Sequence, residues 1–135
     1  MSTEIMNITD ELNSNIFVSF VPSNPAEQAM VYKAMNAPDM KLSDLINTEI
    51  CIRDFITESI TLHNDDGTER PGVRIGLICV DGTTIVTSSN GILRALKTMV
   101  AIFGKPSWSD GIKVKVVQTE RNGRRIFNLV PVFKG

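Results

Sequence analysis

The hydrophobic positions of this chain change period twice. From Thr48 to Thr61, Ile50, Ile52, Ile56 and Ile60 alternate with polar or mixed neighbours, which predicts a long strand. Asp54 and Glu58 fall on the isoleucine parity, so that strand is expected to bend or bulge near Asp54. His63 to Gly72 is dense in turn formers and predicts a long hairpin loop. Val73 to Val80 is a second strand, Asp81-Gly82 a tight turn, and Thr83 to Ser88 a third strand rich in β-branched residues. The period then lengthens. Ile92, Leu93, Leu96, Val100 and Phe103 form one apolar stripe at helical spacing, with Ser89 or Asn90 as cap and Gly104 as terminator. Arg94 and Lys97 fall off that stripe. Period two returns in Ile112 to Thr119, Asn122-Gly123 is a strong hairpin signal, and Arg124 to Phe133 is a fifth strand that tolerates Pro131 near its end.

The order from residue 48 is therefore β-β-β-α-β-β. Three meandering strands, a helix and a closing hairpin are the order of an OB-fold, a five-stranded, partly open Greek-key barrel. A small α+β sheet with one covering helix is the competing arrangement. Ahead of this block, Ile16 to Val21 is a short apolar run stopped by Pro22, either an edge strand or a docking segment. Asn24, Pro25 and Glu27 start a helix that runs to about Asn36, and Pro38 prevents its extension. Lys41 to Ile46 reads as one helical turn. Residues 1–15 are polar and expected to be mobile. The chain thus divides into an N-terminal strand-and-helix arm, residues 1–40, and a mainly β domain, residues 41–135. The arm either covers an apolar face of its own barrel or adds to a neighbour's sheet edge and links protomers.

Composition narrows the class. With 42% hydrophobic and 21% charged residues in 135, the chain can bury a core without staples. No apolar run approaches ~18 residues, so no membrane-spanning helix is expected. The acidic, polar start lacks a basic stretch followed by an apolar one, so no signal peptide is expected. Cys51 and Cys79 sit in strand-like runs, as buried thiols of a reducing cytosol would. The net charge of −1 hides a division: residues 1–69 hold three basic residues against twelve acidic, and residues 70–135 hold eleven against three. That asymmetry suggests a basic face offered to a polyanion, unless the two halves pair in the fold and cancel.

Catalytic signals are missing. His63 is the one histidine, and it lies beside Asn64-Asp65-Asp66 with no partner motif, so it reads as a solvated loop residue. Asp65-Asp66-Gly67 lacks the spacing of a calcium loop and reads as turn chemistry. No glycine-rich phosphate loop and no Cys/His cluster with metal spacing occurs, so neither an enzyme nor a cofactor is expected. What remains is a binding surface. Lys113 and Lys115 project from one face of a strand, Arg121, Arg124 and Arg125 crowd the turn after it, and Arg70 and Arg74 flank the loop between strands one and two. In an OB-fold those loops border the oligonucleotide groove. Arg53 and Phe55 lie two apart on strand one, where Phe55 has the parity opposite to Ile52 and Ile56 and so faces outward unless the bulge resets it. Phe127 lies two from Arg125, and Trp108 follows the helix; each ring is either a stacking platform for bases or part of the core. Phe103 is expected in the core.

Several segments resemble a known family. Asn36-Ala37-Pro38-Asp39, Lys41-Leu42-Ser43-Asp44, Val80-Asp81-Gly82, Phe103-Gly104-Lys105-Pro106-Ser107-Trp108 and Ile112-Lys113-Val114-Lys115-Val116-Val117-Gln118 are similar to the short OB-fold single-stranded DNA-binding proteins of protein-primed and related bacteriophages. The resemblance spans about residues 36–133. It implies a protein that coats single strands during phage DNA replication without sequence preference, in the cytoplasm of an infected bacterium. Carried over by position are Lys113, Lys115, Arg124 and the ring of Phe127. Related proteins hold tyrosines in their strands, whereas the one tyrosine here, Tyr32, is outside the barrel region. The expectation is a non-enzymatic single-stranded DNA-binding protein. Its contacts would be Arg53, Arg70, Arg74, Lys113, Lys115, Arg121, Arg124 and Arg125 to phosphates, and Phe55 and Phe127 to bases, with Trp108 in reserve. Its partners would be single-stranded DNA, a second copy through the arm, and phage replication proteins, with no cofactor or membrane. An OB protein-interaction module and a single-stranded RNA binder are the alternatives.

Overall fold

A computed structural model describes residues 15–132. The expected mobile start, up to residue 14, and the end of the fifth strand's expected run, from residue 133, lie outside the described residues. Chain order is β1 (Ile16–Val18), α1 (Pro25–Asn36), β2 (Met40–Lys41), a 3-10 turn (Leu42–Leu45), β3 (Glu49–His63), β4 (Glu69–Cys79), β5 (Thr84–Thr87), α2 (Asn90–Phe103), β6 (Ile112–Arg121) and β7 (Arg124–Pro131). All strands join one seven-stranded sheet, ordered β2-β5-β4-β3-β6-β7, with β1 added to β3 off that path. The sheet is mixed, because β2 pairs in parallel with β5 while the other pairings are antiparallel. It curls into half a barrel.

Strand β3 organises the fold. Its first residues, Glu49 to Ile52, pair with β6, and Ile56 to Glu58 pair with β1. The β3–β4 register slips between Ile52 and Asp54, so the chain bulges where the sequence pattern breaks and there exchanges one neighbour for another. The slip also resets the alternation. Ile52 and Phe55 both enter the main core, while Ile56 joins a second cluster on the opposite face. The β3–β4 hairpin is longer than the turn-rich sequence predicts. Pairing continues to His63 opposite Glu69, leaving 64–68 as the turn. Pro71 is tolerated because β5 begins to pair with β4 only at Ile75, so its nitrogen lacks no ladder partner.

Both helices carry their expected caps. The Asn24 side chain accepts from the Glu27 nitrogen, and Ser89 accepts from the Ile92 nitrogen. Helix α2 buries Ile92, Leu96 and Met99 against the main cluster, which includes Ile75, Leu77, Ile85, Val114 and Val116. Phe103 is not in that core: it is 38% exposed, because the last turn of α2 extends beyond its packing. Helix α1 buries Ala34 and Met35 on Ile56 and Ile78, with Val18, Phe20, Met30 and Val31 around them. Residues 16–41 therefore supply two strands to the common sheet and cover its outer face. The β6–β7 turn holds Asn122 and Gly123 at φ 53° and 77°, the left-handed pair that an Asn-Gly hairpin turn requires.

Candidate functional site

The two edges of the half-barrel face each other. Lys41 of edge strand β2, Val86 and Thr87 of β5, and Arg124 to Phe127 of edge strand β7 line one groove of about 820 Å³. The first turn of α2 lies against the β7 backbone at this point. A Cβ on Gly91 would collide with the carbonyl oxygen of Phe127, so only glycine permits the approach. Four cations line the groove, Lys41, Arg94, Arg124 and Arg125, together with Ser43, Ser88, Ser89 and Asn90, and no carboxylate does. Among the described residues none of these four lies within ion-pairing distance of an acid. The ring of Phe127 closes one side, half-buried against the main core.

A second trough of about 1000 Å³ continues from the first between α2 and β7, and the two share Gly91, Arg94, Ile126 and Phe127. Its walls carry Ala95, Met99, Ile102 and Phe103 from α2 and Leu129 from β7. Arg121 lies at its rim beside Glu120, its one carboxylate, which pairs across the ladder with Arg125.

The other expected cations are distributed elsewhere. Lys113 and Lys115 are exposed on β6 and stand opposite Cys51 and Glu49 of β3; Lys113 borders a separate cleft with Val80 and Asp81. Arg74 stands opposite Glu58, on the sheet face that carries α1. Arg70 lies near the tip of the β3–β4 hairpin, where its Nε donates to the Asn64 side chain at 3.1 Å. Arg53 is engaged in a structural contact. Its Nε donates to Asp54 Oδ2 at 3.0 Å, and Asp54 is fully buried. Ser19 and Ser107 also donate to that carboxylate, each at 2.8 Å, so Asp54 joins the N-terminal segment, the β3 bulge and the α2–β6 connection. No polar group is orphaned there, which is how a buried charge is tolerated.

Two expected stacking rings are core residues instead. Phe55 is buried because the bulge reverses its parity, and its ring packs 6.0 Å from Phe17 and 6.2 Å from Trp108. Trp108 is also buried, and its indole N–H donates to the Gly104 carbonyl at 3.0 Å. Neither offers a face to a base. Of the eleven residues named from sequence, the structure brings Arg124, Arg125 and Phe127 together in the groove, with Arg121 at the adjoining rim. Lys41 and Arg94 were not expected there. The signal for Arg94 is a second helical stripe, Gly91, Ala95, Thr98 and Ile102, flanking the core stripe. Lys41 carries no local signal, since only the β2–β5 pairing brings it to the groove.

Other chemistry-bearing groups have local explanations. Asp66 accepts from the backbone and hydroxyl of Thr68, which lowers its carboxyl below the usual range and makes it a turn former. His63 is exposed, 3.6 Å from Glu69 across the hairpin. Both cysteines are free thiols; Cys51 is half-buried, and burial, with Asp81 adding to it, pushes the Cys79 thiol up to about 11. Among the described residues no group of three His, Cys, Asp or Glu side chains could hold a metal, and no helix is long and apolar enough to cross a membrane. No family profile, curated protein or solved structure matches the chain.

Proposed function

We propose that this chain is a single-stranded DNA-binding protein built on an OB-type barrel, of the kind bacteriophages use to coat exposed strands during replication. The observation that carries the reading is the groove between the sheet edges, where four cations meet with no acid among the lining residues. Concentrating like charge without counter-charge costs folding free energy, and a polyanion offsets that cost when it binds. Each phosphate seated there releases condensed counterions, which makes the association favourable and salt-dependent. The strand pairings support the architecture. The β3–β4, β4–β5, β3–β6 and β6–β7 ladders, with a helix between the third and fourth of these five strands, follow the Greek-key order of an OB barrel left open at one seam. The segments resembling phage single-stranded DNA-binding proteins add a replication context. The protein acts by occupancy, holding strands free of hairpins for a polymerase, and Arg121 at the adjoining rim extends the positive surface beyond the groove.

The test is a titration of the full chain against a fluorescently labelled oligo(dT), read by anisotropy at several salt concentrations. Trp108 is a poor reporter, since it is buried and its N–H is already bonded. Four phosphates on Lys41, Arg94, Arg124 and Arg125 predict that log K falls against log salt with a slope near about −3. Absence of binding at low salt, or binding indifferent to salt, overturns the proposal. An oligo(U) of equal length compares RNA with DNA in the same assay.

A further inference from the structure

We infer that the bases of a bound single strand lie in the trough between α2 and β7, while its phosphates are held by the cationic groove beside it. The strand then follows the open seam of the sheet and does not cross the outer face of β4 and β5. This inference rests on the single-strand reading above and adds a path and a base site to it.

Three observations converge. First, the outer face of β4 and β5 is already covered. Ala34 of α1 sits on Gly76, where an added Cβ would lie 3.1 Å from the Ala34 Cβ. Just after α1, Asp39 accepts from both the nitrogen and the hydroxyl of Thr84, at 3.0 and 3.1 Å, and returns its own N–H to the Thr84 carbonyl at 3.1 Å. A ligand on that face would have to displace α1, which seats Ala34 and Met35 there. Second, the groove and the trough are one continuous channel, joined at Gly91, Arg94, Ile126 and Phe127. A nucleotide whose phosphate sits in the first part has the second within reach of its base. Third, the groove and the trough differ in chemistry as the phosphate side and the base side of a single strand do. Cations and hydroxyls line the groove, whereas the trough exposes large apolar side chains, with Ile102 68% and Phe103 38% exposed. Bases are flat and largely apolar on their faces, and they gain from stacking on such surfaces whatever their sequence. Phe127, at the junction, and Phe103, at the far end, supply the rings. Bases stacked inside a duplex present no free face, so the trough favours single strands.

The experiment compares oligo(dT) with an abasic deoxyribose-phosphate oligomer of equal length, binding to the full chain and to Ile102→Ser/Phe103→Ser. The wild-type chain should bind oligo(dT) about tenfold more tightly than the abasic oligomer. The double variant should lose that margin while its affinity for the abasic oligomer is unchanged. Should the double variant melt early, Phe103→Leu alone serves, because it removes the ring, keeps an apolar side chain and alters a residue outside the core. If the wild-type chain binds both oligomers equally, or the variant keeps its full preference for oligo(dT), the base site is wrong and the exposed apolar wall belongs to a protein partner. If the wild-type chain binds neither, the single-strand reading falls, and the base site falls with it.

Discussion

Asp54 and the seam between β5 and β7 treat charge in opposite ways. At Asp54 a carboxylate with no solvent exposure is consumed by the fold: two serine hydroxyls and Arg53 satisfy it, and three separate chain segments meet on it. At the seam four cations converge on one groove with no carboxylate among them. A buried ion that is fully bonded specifies structure, and removing its partner leaves groups with nothing to bond. A cluster of like charges without counter-ions stabilises nothing by itself, and its benefit appears only when a ligand of opposite sign arrives. The contrast separates Arg53 from Arg124 and Arg125, which sequence alone treats as equivalent members of one basic face.

The comparison breaks most readily at Asp54. Asp54→Ala removes the shared acceptor of two hydroxyls and a guanidinium and should cost about 2 kcal/mol, seen as a melting temperature lower by roughly 8 °C. A loss below about 1 kcal/mol would mean that water replaces the carboxylate and that the site is not a structural junction. At the seam, Arg124→Glu/Arg125→Glu should leave the melting temperature unchanged and weaken oligo(dT) binding on the order of a hundredfold. The same variant should flatten the salt slope by about 1.4. Arg53→Ala is the matched control, expected to shift binding less than about twofold; equal losses from both sets of arginines would erase the distinction drawn here.

Gly91→Ala sharpens the seam's geometry. Alanine is the better helix former by about 1 kcal/mol, but its Cβ must displace the Phe127 carbonyl, a backbone group with little room to move. Collision should win, with a net loss of about 1–2 kcal/mol measured by urea unfolding. A stabilised variant would show that α2 does not need its close approach to β7. The smallest effect concerns how α1 is held on the β4–β5 face. The Asp39 carboxyl is held below its ordinary value by Lys33, 2.8 Å away, and then by bonds from Thr84. Because folding lowers that value, the contribution is complete above the unfolded carboxylate range near about 4 and is lost as pH falls through the folded value. Between pH 5 and pH 3 the wild-type chain should therefore lose more stability than Asp39→Asn. Identical acid sensitivity of the two chains would show that the ion pair does not help to hold α1.

Much of the fold was legible in the residue pattern. Asn24 and Ser89 cap helices where a side-chain oxygen can satisfy a free backbone nitrogen, and Asn122-Gly123 turns where left-handed backbone is cheap. Alternating isoleucines wrote β3, and their conflict with Asp54 announced the bulge. These features depend on neighbours within a few residues. The site was less legible. Phe55 changed sides because the bulge shifts the register by one residue, and a one-residue shift turns every later side chain to the other face. Phe103 looked like the end of an apolar stripe, and nothing local says that α2 outruns the strand it packs on.

By itself, the sequence determined the elements, their caps and turns, and the concentration of positive charge in the second half of the chain, because period, backbone preference and composition act over short distances. Tertiary structure alone decided which charges meet. Lys41 and Arg125 are far apart in sequence and come together only where two unpaired sheet edges face each other, whereas Arg53, one-third exposed, is tied to the buried Asp54. Long-range pairing sets those positions, and it answers to the packing of the whole core rather than to any short stretch of residues.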